Sequence, residues 1–317
     1  MKLKYLLLPS IVLLYLIFLS SGGDFINLFS LSKNTPDYFI IINLRIPRLL
    51  AASLTGASLA LSALVFQSIF RNPLAEAYTT GVSGGASFAA AFAIIFAMPS
   101  SSIPFFAFAG ASFSAAVTVI AAKRFELSDS RLILFGVSLN MFFSSAVMLL
   151  FSFSESRAVH KALSWMMGDI SIARFELIPF IIPVFAVSFL VILYNSQKLT
   201  IISFGESFRI GSGIKNSDIL ILFLAASALV SISVSAAGVI PFVGLIIPHL
   251  VRNFAGESTK KLILLVPVCG AVFLTLCDTF ARTIFYPFEI PAGIITGFAG
   301  GAFFLVIIFR GTGRKVI

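Results

Sequence analysis

Two arginines three residues apart, in the stretch RIPR at positions 45–48, precede a long apolar run, LLAASLTGASLALSALVF. On a helix that spacing puts Arg45 and Arg48 on one face, where their guanidinium groups could together receive carboxylates. A third arginine, Arg282, follows Asp278 by four residues in LCDTFARTIF, a spacing that suits a local ion pair worth roughly 0.2–0.5 kcal/mol. Further along, NSQKLTIISFGESFRIGSGIKNS (195–217) sets Ile201, Ile202, Phe204, Phe208 and Ile210 among charges, with Gly205, Gly211 and Gly213 as breakers. Two short amphipathic helices fit that pattern, lying on lipid headgroups or against another protein. Polar residues also gather in QSIFRNPLAEAYTTGVSGGASFAAA (67–91), where Gln67, Arg71, Asn72 and Glu76 cluster. There Pro73 biases Asn72 away from helical geometry, while Gly84 and Gly85 allow close backbone contact.

These groups must be positioned by something very apolar. The chain has 317 residues, 59% of them hydrophobic and only 11% charged, against about 25% charged in soluble domains. Its apolar runs are continuous rather than alternating, which favours spanning helices over a barrel. At about 20 residues per crossing, ten spans are predicted, near 5–21, 47–70, 81–98, 104–122, 131–153, 176–194, 218–236, 239–254, 262–280 and 291–309. The eighth is short and holds two prolines. Met1 to Ser21 resembles a secretory signal in having Lys2 and Lys4 before an apolar core, but it is long and no A-x-A-like site ends it. It is read as a retained first span. The fold class is therefore all-α, one polytopic membrane domain over 1–317.

An even number of spans puts both termini on one side. With the termini inside, fifteen of the 22 Lys and Arg residues fall on the inner face and seven on the outer, as the enrichment of cytoplasmic loops in basic residues requires. The whole formal charge of +9 then sits on the inner face. That asymmetry explains the basic balance without nucleic acid, which would need a basic face on a folded soluble domain. It also puts Arg45 and Arg48 outside, where positive charge is sparse, at the mouth of a helix whose positive dipole end disfavours cations. Pro47 fits a first helical turn. Snorkelling to headgroups accounts for such arginines, but two broken rules together favour a docked partner that brings carboxylates. Exposed pairs are worth about 0–1 kcal/mol each, so docking would need several.

Other chemistry is thin. Cys269 and Cys277 are two turns apart on one predicted helix, too far for a disulfide, and no metal-ligand spacing appears. His249 reads as a packed or interfacial residue. Gly293, Gly297 and Gly301 form a small-residue stripe suited to tight helix packing. No G-x-x-x-x-G-K-[ST] occurs, so ATP-driven work would need a nucleotide-binding partner.

The segments RIPRLLAASLTGASLALSALVFQSIFRNPLAEAYTTGVSGGAS, SWMMGD, FGESFRIGSGI, GVIPFVGLIIPHLVR and LCDTFARTIFYPFEIPAGIITGFAGGAFFLVIIFR run in order from about 40 to 310. Together they resemble the FecCD-type permeases, the membrane subunits of ABC importers for iron–siderophores, haem and cobalamin. The resemblance implies a type II ABC importer permease fold of ten spans that dimerises around a central pathway. It also implies an external solute-binding protein, a second permease subunit and two cytoplasmic ATPase subunits, with ATP–magnesium on those partners and no cofactor on this chain. By resemblance, Arg45, Arg48 and Arg282 receive acidic residues of the binding protein. Phe204, Gly205, Glu206, Phe208, Arg209 and Gly213 belong to the cytoplasmic coupling loop (195–217) that inserts into the ATPase. Arg209 and Ile210 depart from the family pattern there, which usually has a small residue and then a basic one. Gln67, Asn72, Pro73, Glu76, Gly84 and Gly85 are assigned to the pathway and its helix breaks. The implied cargo is an iron–siderophore, with haem, cobalamin or molybdate-type oxyanions as alternatives. An ion-coupled transporter would place acids or histidines near mid-membrane, and Asp278 is the deepest candidate. An integral membrane enzyme lacks a clustered His, Asp or Glu constellation.

Overall fold

The computed structural model describes residues 15–20, 26, 35–125, 129–172 and 175–311. Most of the predicted first span, 5–21, lies outside them, as do Lys33 and Arg174. Among the described residues the architecture is helical throughout, with no strand. In chain order the helices are α1 (Pro36–Ile40), α2 (Ile46–Phe70), α3 (Val82–Ile95), α4 (Ile103–Phe125), α5 (Asp129–Ser152), α6 (Ser156–Met166) and α7 (Ile178–Tyr194). They continue as α8 (Ser196–Ser203), α9 (Glu206–Gly211), α10 (Asn216–Ala237), α11 (Val243–Ala255), α12 (Thr259–Thr283) and α13 (Ala292–Gly311). Among the described residues, six helical stretches are long and apolar enough to cross a membrane, and α3, α11 and α13 supply shorter apolar pieces. The spans predicted from 47 to 309 thus each find a helix.

The RIPR stretch is not at a helix mouth, and this corrects the sequence reading. The helix starts at Pro36, where Thr35 caps it by accepting from the Tyr38 amide. It runs unbroken to Phe70 as one 35-residue span. Pro47 is tolerated inside because a π-helical turn, Ile41–Arg45, immediately precedes it. There Ile46 N–H reaches back five residues to Ile41 O, which widens the helix where the proline lacks a donor and its ring would crowd the preceding turn.

α2 is the central post. It buries residues along nearly its whole length and packs antiparallel to both α12 and α10. Along α12, Arg48 faces Asp278, Ser53 faces Thr275, and Gly56 faces Gly270. Along α10, Phe66 and Phe70 both meet the ring of Phe223. Two crossings are made by reciprocal glycines. A Cβ on Gly56 would strike Gly270 O and one on Gly270 would strike Gly56 O, and Gly85 and Gly110 block each other in the same way between α3 and α4. Small residues let helix backbones approach closely where lipid offers no hydrophobic drive between helices. The predicted stripe on α13 is used differently. A Cβ on Gly293 would strike Met167 O and Val239 O, one on Gly297 would only touch Pro241, and one on Gly301 would meet nothing within 4 Å, while Gly300, outside the stripe, lies against the ring of Phe242.

The eighth predicted span is a helix about two-thirds of a crossing in length. Residues 238–242 run without helical structure before α11, whose 13 residues rise about 20 Å. Gly238 and Pro241 interrupt the helix, and Phe242, at φ 68°, sits in the left-handed region that bulky residues avoid. α6 was not anticipated, because an 11-residue amphipathic helix is too short and too polar for a hydropathy window. We expect Gly56→Val, and equally Gly270→Val, to destabilise the fold by about 1–3 kcal/mol. Thermal denaturation of the detergent-solubilised protein checks this, with Gly301→Ala expected to be neutral.

Candidate functional site

The three groups of sequence-predicted site residues lie in three places along the bundle. At one end, where α2 meets α12, three guanidinium and two carboxylate groups collect. Arg48 donates through Nε to Asp278 Oδ2 at 2.9 Å and through NH2 to Oδ1 at 2.9 Å, a two-pronged contact with a carboxylate that is only 5% exposed. Its NH1, on the other edge of the guanidinium, donates to Glu289 Oε2 at 2.7 Å, and Glu289 is 55% exposed. Arg45 is buried and donates from NH1 to the carbonyls of Leu19 and Ser20 at 2.7 and 2.8 Å. Arg282 is buried too, and its NH2 donates to Phe18 O at 2.6 Å while its Nε finds no partner among the described residues. Asp278 therefore serves Arg48 on the facing helix rather than making the expected local pair with Arg282. Arg45 and Arg282 are drawn together onto three successive carbonyls of the helical stretch 15–20. Removing one partner of a buried pair costs about 3–5 kcal/mol, whereas an exposed pair is worth about 0–1 kcal/mol, so Asp278 and Glu289 hold Arg48 very unequally.

The residues assigned to the pathway start near the other end of α2, at Gln67, and continue through the segment where helices break. Gln67 is buried and brackets α2 to α11, donating to Gly244 O at 3.1 Å and accepting from Arg252 at 2.8 Å. Arg71 ends α2 in a left-handed conformation, and Asn72 Oδ1 then accepts from the Leu74 amide at 2.9 Å, which turns the chain at exposed Pro73. Glu76 follows in this irregular segment with its carboxylate beside Gly244 at the start of α11. Burial pushes Glu76 up to about 7 and raises Tyr78 as well, which is further raised by the Glu76 charge. Gly84 packs on Asn140 of α5. Beside it is a small cavity of about 90 Å³ lined by Tyr78, Ser83, Ser87, Asn140 and Ser144. The sequence reading missed those five. Asn140, an amide inside the apolar run 131–153, was the signal that could have found them.

At the far end of α2 the 195–217 segment forms the two anticipated short helices. α8 turns Leu199 and Ile202 into the core, while Phe204, Phe208 and Ile210 stay exposed, with the rings of Phe204 and Phe208 5.8 Å apart. Gly205, at φ 113°, makes the corner between α8 and α9, with Arg71 close behind it, and Gly213, at φ 71°, makes the corner before α10. Lys198 ties the loop to Asp218 of α10 at 2.6 Å, and Arg209 is held by Asn216 at 2.6 Å and more loosely by Glu206 at 3.4 Å. A cleft of roughly 890 Å³ opens beneath it, reaching Arg71, Thr118, Lys123, Glu206 and Arg209. With Arg48 and Gln67 19 residues apart on one helical span, the two ends are about 28 Å apart, close to a bilayer core.

The model of the FecCD transport family matches residues 6–310. The chain belongs to the FecCD transport family. It is 34% identical to the Fe(3+)-citrate import system permease protein YfmE of Bacillus subtilis, over 85% of this chain and 82% of that protein. It is 32% identical to the vitamin B12 import system permease protein BtuC of Vibrio cholerae, over 97% and 93%. A solved metal-chelate type ABC transporter in an inward-facing conformation superposes with a TM-score of 0.84 at 31% identity, over 96% of this chain and 99% of that one. This FecCD member is a membrane-spanning permease subunit of the ABC importer class, and its all-helical architecture is that of the matched transporter.

Two outcomes are expected. Asp278→Ala should lower stability by about 3 kcal/mol or more, and Glu289→Ala by less than about 1 kcal/mol, measured as the shift in unfolding of each purified variant. Because burial lifts the Glu76 carboxyl from its ordinary value of 4.5 to about 7, its protonated form favours folding, and stability should fall as pH rises from about 4.5 through about 7. Glu76→Gln should therefore be more stable than the parent at pH 8, by on the order of 2 kcal/mol after screening, with the two converging near pH 4.5.

Proposed function

We propose that this chain forms, over 1–317, the single permease domain of an ATP-driven importer in the cell (inner) membrane, carrying an iron–siderophore or similar metal chelate. The membership of the family and the iron-citrate, B12 and metal-chelate names of its relatives support that cargo class. Cobalamin, haem and molybdate-type oxyanions are the alternative cargoes. The observation that carries the proposal is the separation of two unlike surfaces along one span. One end of α2 holds an arginine–carboxylate cluster, and the other carries a loop that keeps Phe204, Phe208 and Ile210 exposed. Contiguous exposed apolar groups of that kind mark docking surfaces.

In this reading the termini are cytoplasmic and the arginine end faces outward. A solute-binding protein docks there, with acidic groups of its lobes reaching the cluster at Arg48, while Arg45 and Arg282, buried on the carbonyls of residues 18–20, back it from behind. The loop from 195 to 217 engages one of two ATPase subunits, which bind ATP–magnesium. Two permease subunits, alike or different, enclose the pathway, and nucleotide-driven closure pulls on the loops and switches the pathway between sides. The hydroxyls and amide around Asn140 are polar without being charged, so selection of the cargo is left chiefly to the binding protein. One observation favours a second reading, coupling to protons, because Glu76 is a half-buried acid at a helix break beside Gly244, where desolvation favours its protonated form.

Uptake into proteoliposomes holding the complete assembly separates the two. ATP-dependent uptake should persist when the proton gradient is collapsed, and loss of uptake on collapse with ATP present would favour ion coupling. Docking is tested with Arg48→Met and Asp278→Leu made together, since removing both partners of a buried pair leaves no orphaned charge. Capture of the solute-binding protein should weaken at least about tenfold.

A further inference from the structure

Arg48 is held by two carboxylates that differ in every respect relevant to exchange. Asp278 lies on α12, is nearly inaccessible, and takes the Nε and NH2 edge of the guanidinium. Glu289 lies in the segment between α12 and α13, is more than half exposed, and takes NH1 alone. Its backbone is fixed independently of that contact. Ile290 N–H donates to Ala281 O at 3.2 Å, and Gly293 N–H donates to Gly168 O at 3.3 Å. The Glu289 side chain can therefore swing off Arg48 by rotation about its own bonds, with the chain around it in place. The other two arginines of the cluster are committed to carbonyls of residues 18–20, so NH1 of Arg48 is the guanidinium edge in the cluster whose described partner is an exposed side chain.

We propose that Glu289 is an internal stand-in for a carboxylate of the docked binding protein. It occupies the outward edge of Arg48 while the permease is unpartnered and is displaced when an acidic side chain arrives, with Asp278 staying in place to aim the guanidinium. This inference rests on the docking reading and adds to it a named position and an order of events. No bond is made or broken beyond the exchange of one charge-assisted hydrogen bond for another. An arginine edge left bare would face headgroup phosphates, which compete for the same geometry. A tethered carboxylate fills the edge reversibly and keeps the guanidinium in register for its partner. Glu289 also repels an acidic surface until the exchange occurs, so it acts on encounter as well as on the final affinity.

The test uses the assembled transporter in lipid nanodiscs with its solute-binding protein as the probe, following capture rate and affinity at several salt concentrations. Glu289→Gln keeps the size of the side chain and removes the competing charge. It should tighten capture about three- to fivefold at low salt, with a faster association rate and a gain that shrinks as salt is added. Glu289→Asp keeps the charge and should behave like the parent. Unchanged or weaker capture by Glu289→Gln, with Arg48→Met/Asp278→Leu still abolishing capture, would overturn the exchange and leave docking standing. Capture indifferent to all these variants would overturn docking and the exchange with it.

Discussion

Lipid offers no hydrogen bonds, so every polar group carried into the span region must be answered by the protein itself. That constraint explains the most informative contact in the molecule, the two-pronged pairing of Arg48 with Asp278. It joins α2 to α12 at one end of their long antiparallel contact, and it fixes which face of α2 turns toward its neighbour. The reciprocal approach of Gly56 and Gly270 lies two turns further along the same seam, and Gln67 repeats the device near the other end, bracketing α2 to α11. One central helix is thus held at both ends by polar clamps and in the middle by backbone proximity.

Function follows from where the clamps leave something over. At the arginine end the buried carboxylate is committed and the exposed one is not. The breaks at 71–81 and 238–242 bring Glu76 beside Gly244 of α11 and Tyr78 to the cavity that Asn140 of α5 also lines. At the loop end, α8 spends its apolar face on the core while α9 and its flanks keep theirs exposed. These three zones lie on one continuous post, so a force applied to the loop has a short route to the breaks and then to the arginine cluster.

Much of this was legible in the sequence. Among the described residues, continuous apolar runs located the helices from 81 onward to within a few residues, because in a bilayer length and hydropathy are the dominant constraints. The two short helices of the 195–217 segment followed from glycines spaced among apolar and charged residues. What could not be read was anything set by tertiary pairing. The partner of Arg48 lies 230 residues away, and no local pattern distinguishes Asp278 serving Arg282, four residues on, from Asp278 serving a facing helix. The helix start was misplaced because Pro47 looks like a first-turn proline. The π turn that admits it inside the helix leaves no compositional trace. The eighth span was seen as an apolar run, but its first four residues run outside the helix, because Gly238, Pro241 and the strained Phe242 interrupt it.

The central claim is that the arginine cluster and the coupling loop face opposite sides of the membrane, the cluster outward. Single-cysteine labelling tests it most directly, in a background where Cys269 and Cys277 have been replaced by alanine, using a membrane-impermeant thiol reagent on intact cells. Glu289→Cys should react from outside, and Phe208→Cys only after the membrane is opened. The reverse pattern, or both positions reacting from the same side, would contradict the account.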